Sequence, residues 1–369
     1  MSVSVDWGTA RRVAAKIGNS DGDMDREALS QLANDMVTLT SQAEELVAAE
    51  TGLVSLAGPA RGRVTDRAGW VDANLASFDR LTRPLLAKLN EDPDHEPSRI
   101  GAAFSKVFEP IAGTVGPKFA GAEVGALLGW MSGRVIGQYD LLIIEDENPE
   151  AQDLVYYVGP NVMSMEKRYG FPPSEFRLWI AIHECTHRAQ FTAVPWLRPY
   201  FLSLVNELMD DVDPDPSRFV DAAKAAIEKK RAGIDGLTDG GLQQLLASPK
   251  QRETLDKVSG LMSLLEGHGD ITMDRAGRHL IPSQPRVARV MSKRRASSSG
   301  PTKIIQRLLG FEAKLAQYEE GEKFILAVEA AGGRELFDQV WSGPDALPAI
   351  DEIRLPELWI SRMTTSTGS

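Results

Sequence analysis

The stretch WIAIHECTHRAQF, residues 179–191, contains the motif H-E-x-x-H as His183, Glu184 and His187. On an α-helix, residues four positions apart lie on one face with their Cβ atoms about 5–6 Å apart. Two imidazoles with that spacing can bind one Zn²⁺ ion, and the glutamate beside the first can reach a water molecule without ligating the metal. The motif therefore predicts a helix that carries the working part of a zinc hydrolase.

The residues around the motif favour this interpretation over a chance match. Glu175 would lie in the first turn of the helix, and Pro195 limits its continuation. Apolar residues on both sides of the first histidine indicate a buried helix: Phe176, Trp179, Ile180 and Ile182. The alternative is a pair of hydrogen-bonded core histidines beside a buried carboxylate. Packing alone does not require those polar residues, so we favour zinc.

A zinc site of this kind needs a third protein ligand. The extended motif H-E-x-x-H-x-x-G-x-x-H is excluded, because the chain has Gln190 and Ala193 at its last two defining positions. The other common solution is a glutamate from a second helix. We predict that helix in residues 254–277, TLDKVSGLMSLLEGHGDITMDRAG, where apolar residues recur at helical spacing. Glu266 is our choice of ligand.

The residues near Glu266 suggest a supporting role for Asp270, which lies four positions on and on the same helical face. Its carboxylate could accept the spare N–H of a zinc-bound histidine. The E-x-x-x-D pattern resembles the second helix of the thermolysin-type gluzincins, which implies these two roles. His268 and Asp270 remain alternative ligands, and a buried pair of Glu266 with Arg275 is the alternative without metal. His268 lies about 200° round the helix from Glu266, so both face one ion only if the helix breaks.

Two further features of these helices lead to expectations. Gly260, Gly267 and Gly269 each cost about 1 kcal/mol relative to alanine within a helix. We expect that cost where another helix approaches closely, as it would if the two helices shared one metal. Cys185, the only cysteine, lies about 200° from His183 and is predicted to be a small core residue.

Composition limits the classes of protein that fit. A chain of 369 residues can bury a large core, and one cysteine rules out an internal disulfide framework. The N-terminal residues lack the pattern of a secretory signal, and charges interrupt the longest apolar region, so that region fails as a membrane span. A net charge of -11 opposes general binding to nucleic acid or acidic membranes. We therefore expect a cytoplasmic protein with no nucleic-acid or membrane partner.

The pattern of apolar residues predicts a mainly α (α+β) protein of zincin-like architecture with a small β element. Helical periodicity covers about residues 5–17, 25–50 and 66–90, and helices are also expected near 120–137 and from 302 to 332. Two short apolar runs, 141–144 and 154–158, predict a hairpin or neighbouring strands. We expect an N-terminal helical region, 1–98, and a catalytic region, 99–369, which could also form one continuous domain.

Over nearly its whole length the chain resembles the zincin-like zinc metallopeptidases, a family of unknown function with gluzincin-like ligands. The resemblance is carried by GWMSGRVIGQYDL, HECTHRAQFTAVPWLRPY, LLEGHGDITMD, LLGFEAKLAQYEEGEKF and WSGPDALPAIDEI. Some members carry a label that associates them with biosynthesis of a deazaflavin coenzyme, which implies no reaction. The resemblance implies the fold and the metal, and it carries over no substrate.

An active site of this type predicts hydrolysis of a peptide or a small amide. Glu184 would take a proton from water as that water attacks a carbonyl polarised by zinc. A hydrogen-bond donor for the resulting oxyanion is also expected, with His268, Tyr318 and Arg307 as candidates. The alternative is a catalytically silent zincin-fold protein that keeps zinc for structure or for binding a partner. We favour the enzyme, since a structural zinc site needs no general base.

Overall fold

The computed structural model describes residues 4–18, 26–91, 116–139, 153–210, 249–296 and 314–366. These residues are mainly helical and include three short strands, which confirms the predicted fold class. The strands are β1 Arg61–Thr65, β2 Gly137–Tyr139 and β3 Leu154–Val158. The helices are α1 Trp7–Gly18, α2 Arg26–Thr51, α3 Arg67–Glu91, α4 Pro117–Ser132, α5 Gly159–Tyr169, α6 Pro173–Ala193, α7 Leu197–Asp210, α8 Pro249–Ala276, α9 Gln284–Ala296, α10 Lys314–Phe337, α11 Ile350–Arg354 and α12 Pro356–Ser366.

Some of the helices and strands lie where the sequence pattern predicted them, and others do not. The three N-terminal helices and β3 lie where periodicity placed them. The helix expected up to residue 137 ends at Ser132 instead, because Gly133 closes its last turn by donating to the carbonyl of Met131, and β2 follows. The strand expected at 141–144, the boundary between 98 and 99, and residues 302–313 lie outside the described residues.

The described chain divides into two compact units. The first contains residues up to 45 and from 57 to 188, and the second contains residues 46–56 and those from 189 onward. The boundaries after residues 45 and 188 fall within helices, so α2 and α6 each contribute residues to both units, and the boundary after residue 56 falls between α2 and β1.

The first unit contains the sheet, whose strand order is β1-β3-β2. Strand β1 runs parallel to β3 with Arg61 opposite Leu154, and β2 runs antiparallel to β3 with Tyr139 opposite Val155. All five residues of the central strand β3 are buried. A strand covered on both faces reads as a continuous apolar run, which explains why β3 was predictable from sequence.

The helical part of the first unit packs on small residues. At Gly125 of α4, an added Cβ would lie 2.2 Å from the carbonyl oxygen of Ala10 in α1. Only glycine permits so close a contact between two helix backbones. The apolar core beside this contact consists of Ala10, Ala14, Trp70, Val71, Leu75, Leu128 and Val158.

The second unit is built around α8, which packs against α10 and α11. The close approach expected at the glycines of α8 is present, but its partner differs from the prediction. A Cβ at Gly267 would lie 2.4 Å from the carbonyl carbon of Gly321 in α10, and a Cβ at Gly260 would lie 2.5 Å from the oxygen of Pro348. These glycines therefore serve helix packing inside the second unit, whose core includes Leu264, Phe324, Val328 and Trp359.

None of the helices in the described parts of the chain combines the length and the apolar character that crossing a bilayer requires.

Candidate metal centre

The two histidines of the motif lie side by side on α6. Their ring centroids are 4.5 Å apart, and the Nε2 atoms of His183 and His187 are 3.2 Å apart. Nitrogen atoms at that distance can share either a proton or a cation. Two ligands about 2.0–2.1 Å from a tetrahedral zinc ion are about 3.3 Å apart, so the pair fits zinc in spacing and in chemistry.

Glu266 of α8 completes a group that could hold a metal ion. A ligand atom from each of His183, His187 and Glu266 lies within 4.8 Å of the other two. The donors are two imidazole nitrogens and one carboxylate oxygen, a set that zinc accepts with an open fourth position. Within the described residues, this is the one group of three such side chains that meets the distance criterion, and His268 and Asp270 are not members of it.

Glu184 lies beside the histidines on α6 but does not belong to the metal-binding group. Its side chain is buried, and its Oε2 accepts a hydrogen bond from the backbone N–H of Tyr139 at 3.0 Å. That N–H is available because β2 lies at the edge of the sheet. The residue before β2, Ile136, faces β3, because its carbonyl accepts a hydrogen bond from the N–H of Val158. Alternate residues of an antiparallel strand turn their N–H groups to opposite sides, so the N–H of Tyr139, three positions later, points away from β3.

Gly137 allows β2 to approach the glutamate. A Cβ at this position would lie 2.6 Å from Oε1 of Glu184 and 2.7 Å from its Cγ. Real Cβ atoms do not occur at such distances, so any larger residue would displace the Glu184 side chain. The roles of Gly137 and Tyr139 could not be predicted from the sequence, because their contacts with Glu184 join residues more than forty positions apart.

The sequence of this chain matches the family described as zincin-like metallopeptidases over residues 5–360. The chain belongs to that family. It is also similar to a solved structure from Chloroflexus aurantiacus, described as that of a candidate hydrolase with a novel fold. The two chains share 30% sequence identity with a TM-score of 0.68, over 98% of this chain and 99% of the other. No curated protein matches the chain.

Membership in the zincin-like metallopeptidases implies a bound metal, typically zinc, and the class of hydrolases. The histidine pair and Glu266 are consistent with that implication. The ligand assignment itself stays a prediction, as do the general base and the cytoplasmic location.

We expect Gly137→Ala in this zincin-like protein to disturb Glu184 while zinc binding is retained. The added methyl group forces the carboxylate away from its position, and the cost to folding is small because a flexible side chain can give way. Hydrogen exchange of the Tyr139 amide should become faster, and any zinc-dependent hydrolysis should fall about 10-fold or more. Amide exchange measured by NMR and a zinc assay test this.

Gly62→Ala is a matched control for that variant. A Cβ at Gly62 in β1 would lie 2.4 Å from Oγ1 of Thr40, so the strain is similar but does not involve Glu184. This control should leave exchange at Tyr139 and any hydrolysis unchanged. Equal effects of the two variants would show that β2 does not position Glu184.

Arg188, directly after the second histidine, anchors α6 inside the first unit. Its guanidinium is 2% exposed and forms ion pairs with Glu44 and Asp153, both at 2.6 Å. It also donates to the carbonyl oxygen of Gly58 at 2.7 Å. A buried charge is stable only when it is fully paired, so these contacts hold α6 against α2 and the start of β3. The buried position of Arg188 could not be predicted from the sequence, because its acidic partners lie 35 and 144 positions away in the chain.

Cys185 lies in the core, as predicted. Its thiol is 3.6 Å from the carbonyl oxygen of Thr40, and burial raises its pKa. The neighbouring Tyr157 shares a hydrogen bond with the Thr40 hydroxyl at 2.9 Å. A buried thiol whose pKa is raised is a poor nucleophile, so this side of α6 has a structural role.

The remaining predicted site residues occupy different surroundings. Asp270 is half-buried on α8, four positions after Glu266. His268 is buried, with its ring against Phe337 and Trp341, and these contacts account for the histidine without a substrate. The Tyr318 side chain and Arg307 lie outside the described residues. The roles predicted for Asp270, His268 and Tyr318 stay predictions.

Proposed function

We propose that this protein is a zinc-dependent peptidase or amidase, with His183, His187 and Glu266 as zinc ligands and Glu184 as general base. The observation that carries the proposal is the position of Glu184. It is a buried carboxylate next to a ligand histidine, outside the metal-binding group, and held by a backbone N–H. A site that keeps zinc only for structure has no use for such a carboxylate. Membership in the zincin-like metallopeptidases supports the class of zinc hydrolases. The similar structure from Chloroflexus aurantiacus, described as a candidate hydrolase, supports the same class.

In the proposed reaction the metal supplies a Lewis acid and Glu184 transfers the proton. Zinc, when bound, lowers the pKa of a water molecule towards neutrality and polarises the carbonyl group under attack. Glu184 accepts the proton of that water. The Tyr139 N–H holds Oε2 of that carboxylate in place during the transfer. Glu184 then gives the proton to the amine nitrogen as the C–N bond breaks.

The substrate class follows from this chemistry. A general base that returns its proton suits an amine leaving group, so we propose a peptide or a small amide as substrate. A donor for the oxyanion is part of the proposal, and His268 and Tyr318 remain the candidates for it.

A peptide library tests the proposed activity. The zinc-loaded protein should cleave a subset of peptides at defined bonds, detected by mass spectrometry, and a chelator should abolish the cleavage until zinc is added back. Protein of verified zinc content that cleaves no peptide or amide in a broad library would favour the catalytically silent zinc protein instead.

A further inference from the structure

Gln190 is a fully buried amide on α6, three residues after the second histidine of the motif. A buried carboxamide without hydrogen bonds destabilises the folded protein, so its partners indicate why the chain has it there. Gln190 occupies the position where the extended zinc motif has glycine.

The partners of Gln190 flank the proposed third ligand. Its Nε2 donates to the carbonyl oxygen of Leu265 at 2.9 Å and lies 3.0 Å from Nδ1 of His268. Leu265 precedes Glu266 by one residue, and His268 follows it by two. The amide therefore contacts the turn of α8 that carries Glu266 on both sides of that residue.

The direction of these hydrogen bonds is determined by the groups involved. A backbone carbonyl can only accept, so the atom of Gln190 that faces Leu265 is the NH₂ group. The same NH₂ group faces Nδ1 of His268, which must then be the acceptor. Nδ1 of His268 therefore carries no proton, and the ring N–H lies at Nε2.

We propose that Gln190 is a positioning residue for the metal centre, which sets where the Glu266 carboxylate lies relative to the two histidines on α6. The proposal rests on the ligand set of the proposed function. The continuous helix α6 carries both histidines and Gln190, so a hydrogen bond from Gln190 to the Glu266 turn links the three ligands by one side chain.

The same α8 turn also packs against α10. A Cβ at Gly321 of α10 would lie 2.0 Å from the carbonyl oxygen of Ser263 and 3.3 Å from Cα of Gly267. Packing against α10 restrains this part of the α8 backbone, and the hydrogen bonds of Gln190 act on the same turn from α6.

The chain provides a matched control in Gln284. This residue is also buried, and its Nε2 donates to the carbonyl oxygen of Met273 at 3.3 Å and to Oδ1 of Asp274 at 2.6 Å. It makes the same kind of contact with the same helix, about two turns beyond Glu266.

The experiment compares Gln190→Leu with Gln284→Leu, because leucine has a similar volume and forms no hydrogen bond. Zinc affinity is measured by competition with a chelating dye, and thermal unfolding of the metal-free proteins is measured alongside. Both variants should lose stability. We expect zinc affinity to fall about 10–100-fold in Gln190→Leu and to stay within about 3-fold in Gln284→Leu. Equal affinities in the two variants would overturn the proposal.

Two additional measurements separate the possible failures. Glu266→Gln should lower zinc affinity in the same assay, and if it does not, the ligand set of the proposed function is wrong. If Glu266→Gln weakens zinc binding and Gln190→Leu does not, only the role of Gln190 is wrong. The ¹⁵N shifts of His268 in the unmodified protein should show the proton on Nε2. A proton on Nδ1 would overturn the proposal even if the Gln190 variants did not fold.

Discussion

His187→Ala should remove zinc from the purified protein. We expect the unmodified chain to contain about one zinc ion per molecule, bound by two histidines and one glutamate. Loss of one imidazole leaves two protein ligands on an ion that needs at least three, so affinity should fall more than about 100-fold. Elemental analysis after dialysis against a weak chelator measures the effect directly.

The control for this experiment is another histidine of the same chain. His279 lies exposed after the end of α8 and is not a member of the metal-binding group, so His279→Ala should keep its zinc. Undiminished zinc in His187→Ala would show that the metal centre is elsewhere.

Glu184→Gln should keep zinc but lose hydrolysis by about 10²-fold or more. The amide has the same size as the carboxylate, and its oxygen can still accept the Tyr139 N–H, so the helix and the metal-binding group are undisturbed. The amide cannot accept the proton of the attacking water at neutral pH. Rates with any peptide or amide identified in the library, measured together with zinc content, test this expectation.

Glu175→Gln is the matched control, since Glu175 lies in the first turn of the same helix and is remote in sequence from the motif. Both activity and zinc should be retained in that variant. An unchanged rate in Glu184→Gln would exclude Glu184 as the base and would leave the histidine pair to a different chemistry.

The zinc helix and the N-terminal helices could be predicted because their signals are local. The spacing of His183, Glu184 and His187 places the three side chains on neighbouring positions of any helix, whatever surrounds it. The central strand β3 was also predictable, because it is short and continuously apolar. The periodicity around Glu266 likewise predicted α8 over residues 254–277, and the helix begins earlier, at Pro249, and ends at Ala276.

Strands β1 and β2 were not predictable in the same way. β1, with the sequence RGRVT, has no buried residue and little apolar character, and it pairs with β3 more than ninety positions away. β2 has only three residues, and its Gly137 continues the small-residue pattern of the preceding helix. Pairing over such distances depends on contacts that no local pattern contains.

By itself, the sequence determined the helical class, the motif of the zinc helix and the glutamate proposed as third ligand, because each depends on spacing along one helix. Only the tertiary structure decided which backbone holds Glu184, which acids neutralise the buried Arg188, and what the Gln190 amide contacts. It also assigned Gly267 of α8 to packing against α10 and Gly260 to packing against Pro348. A buried polar or glycine residue takes its role from the group that meets it in space, and that group lies far away in the chain.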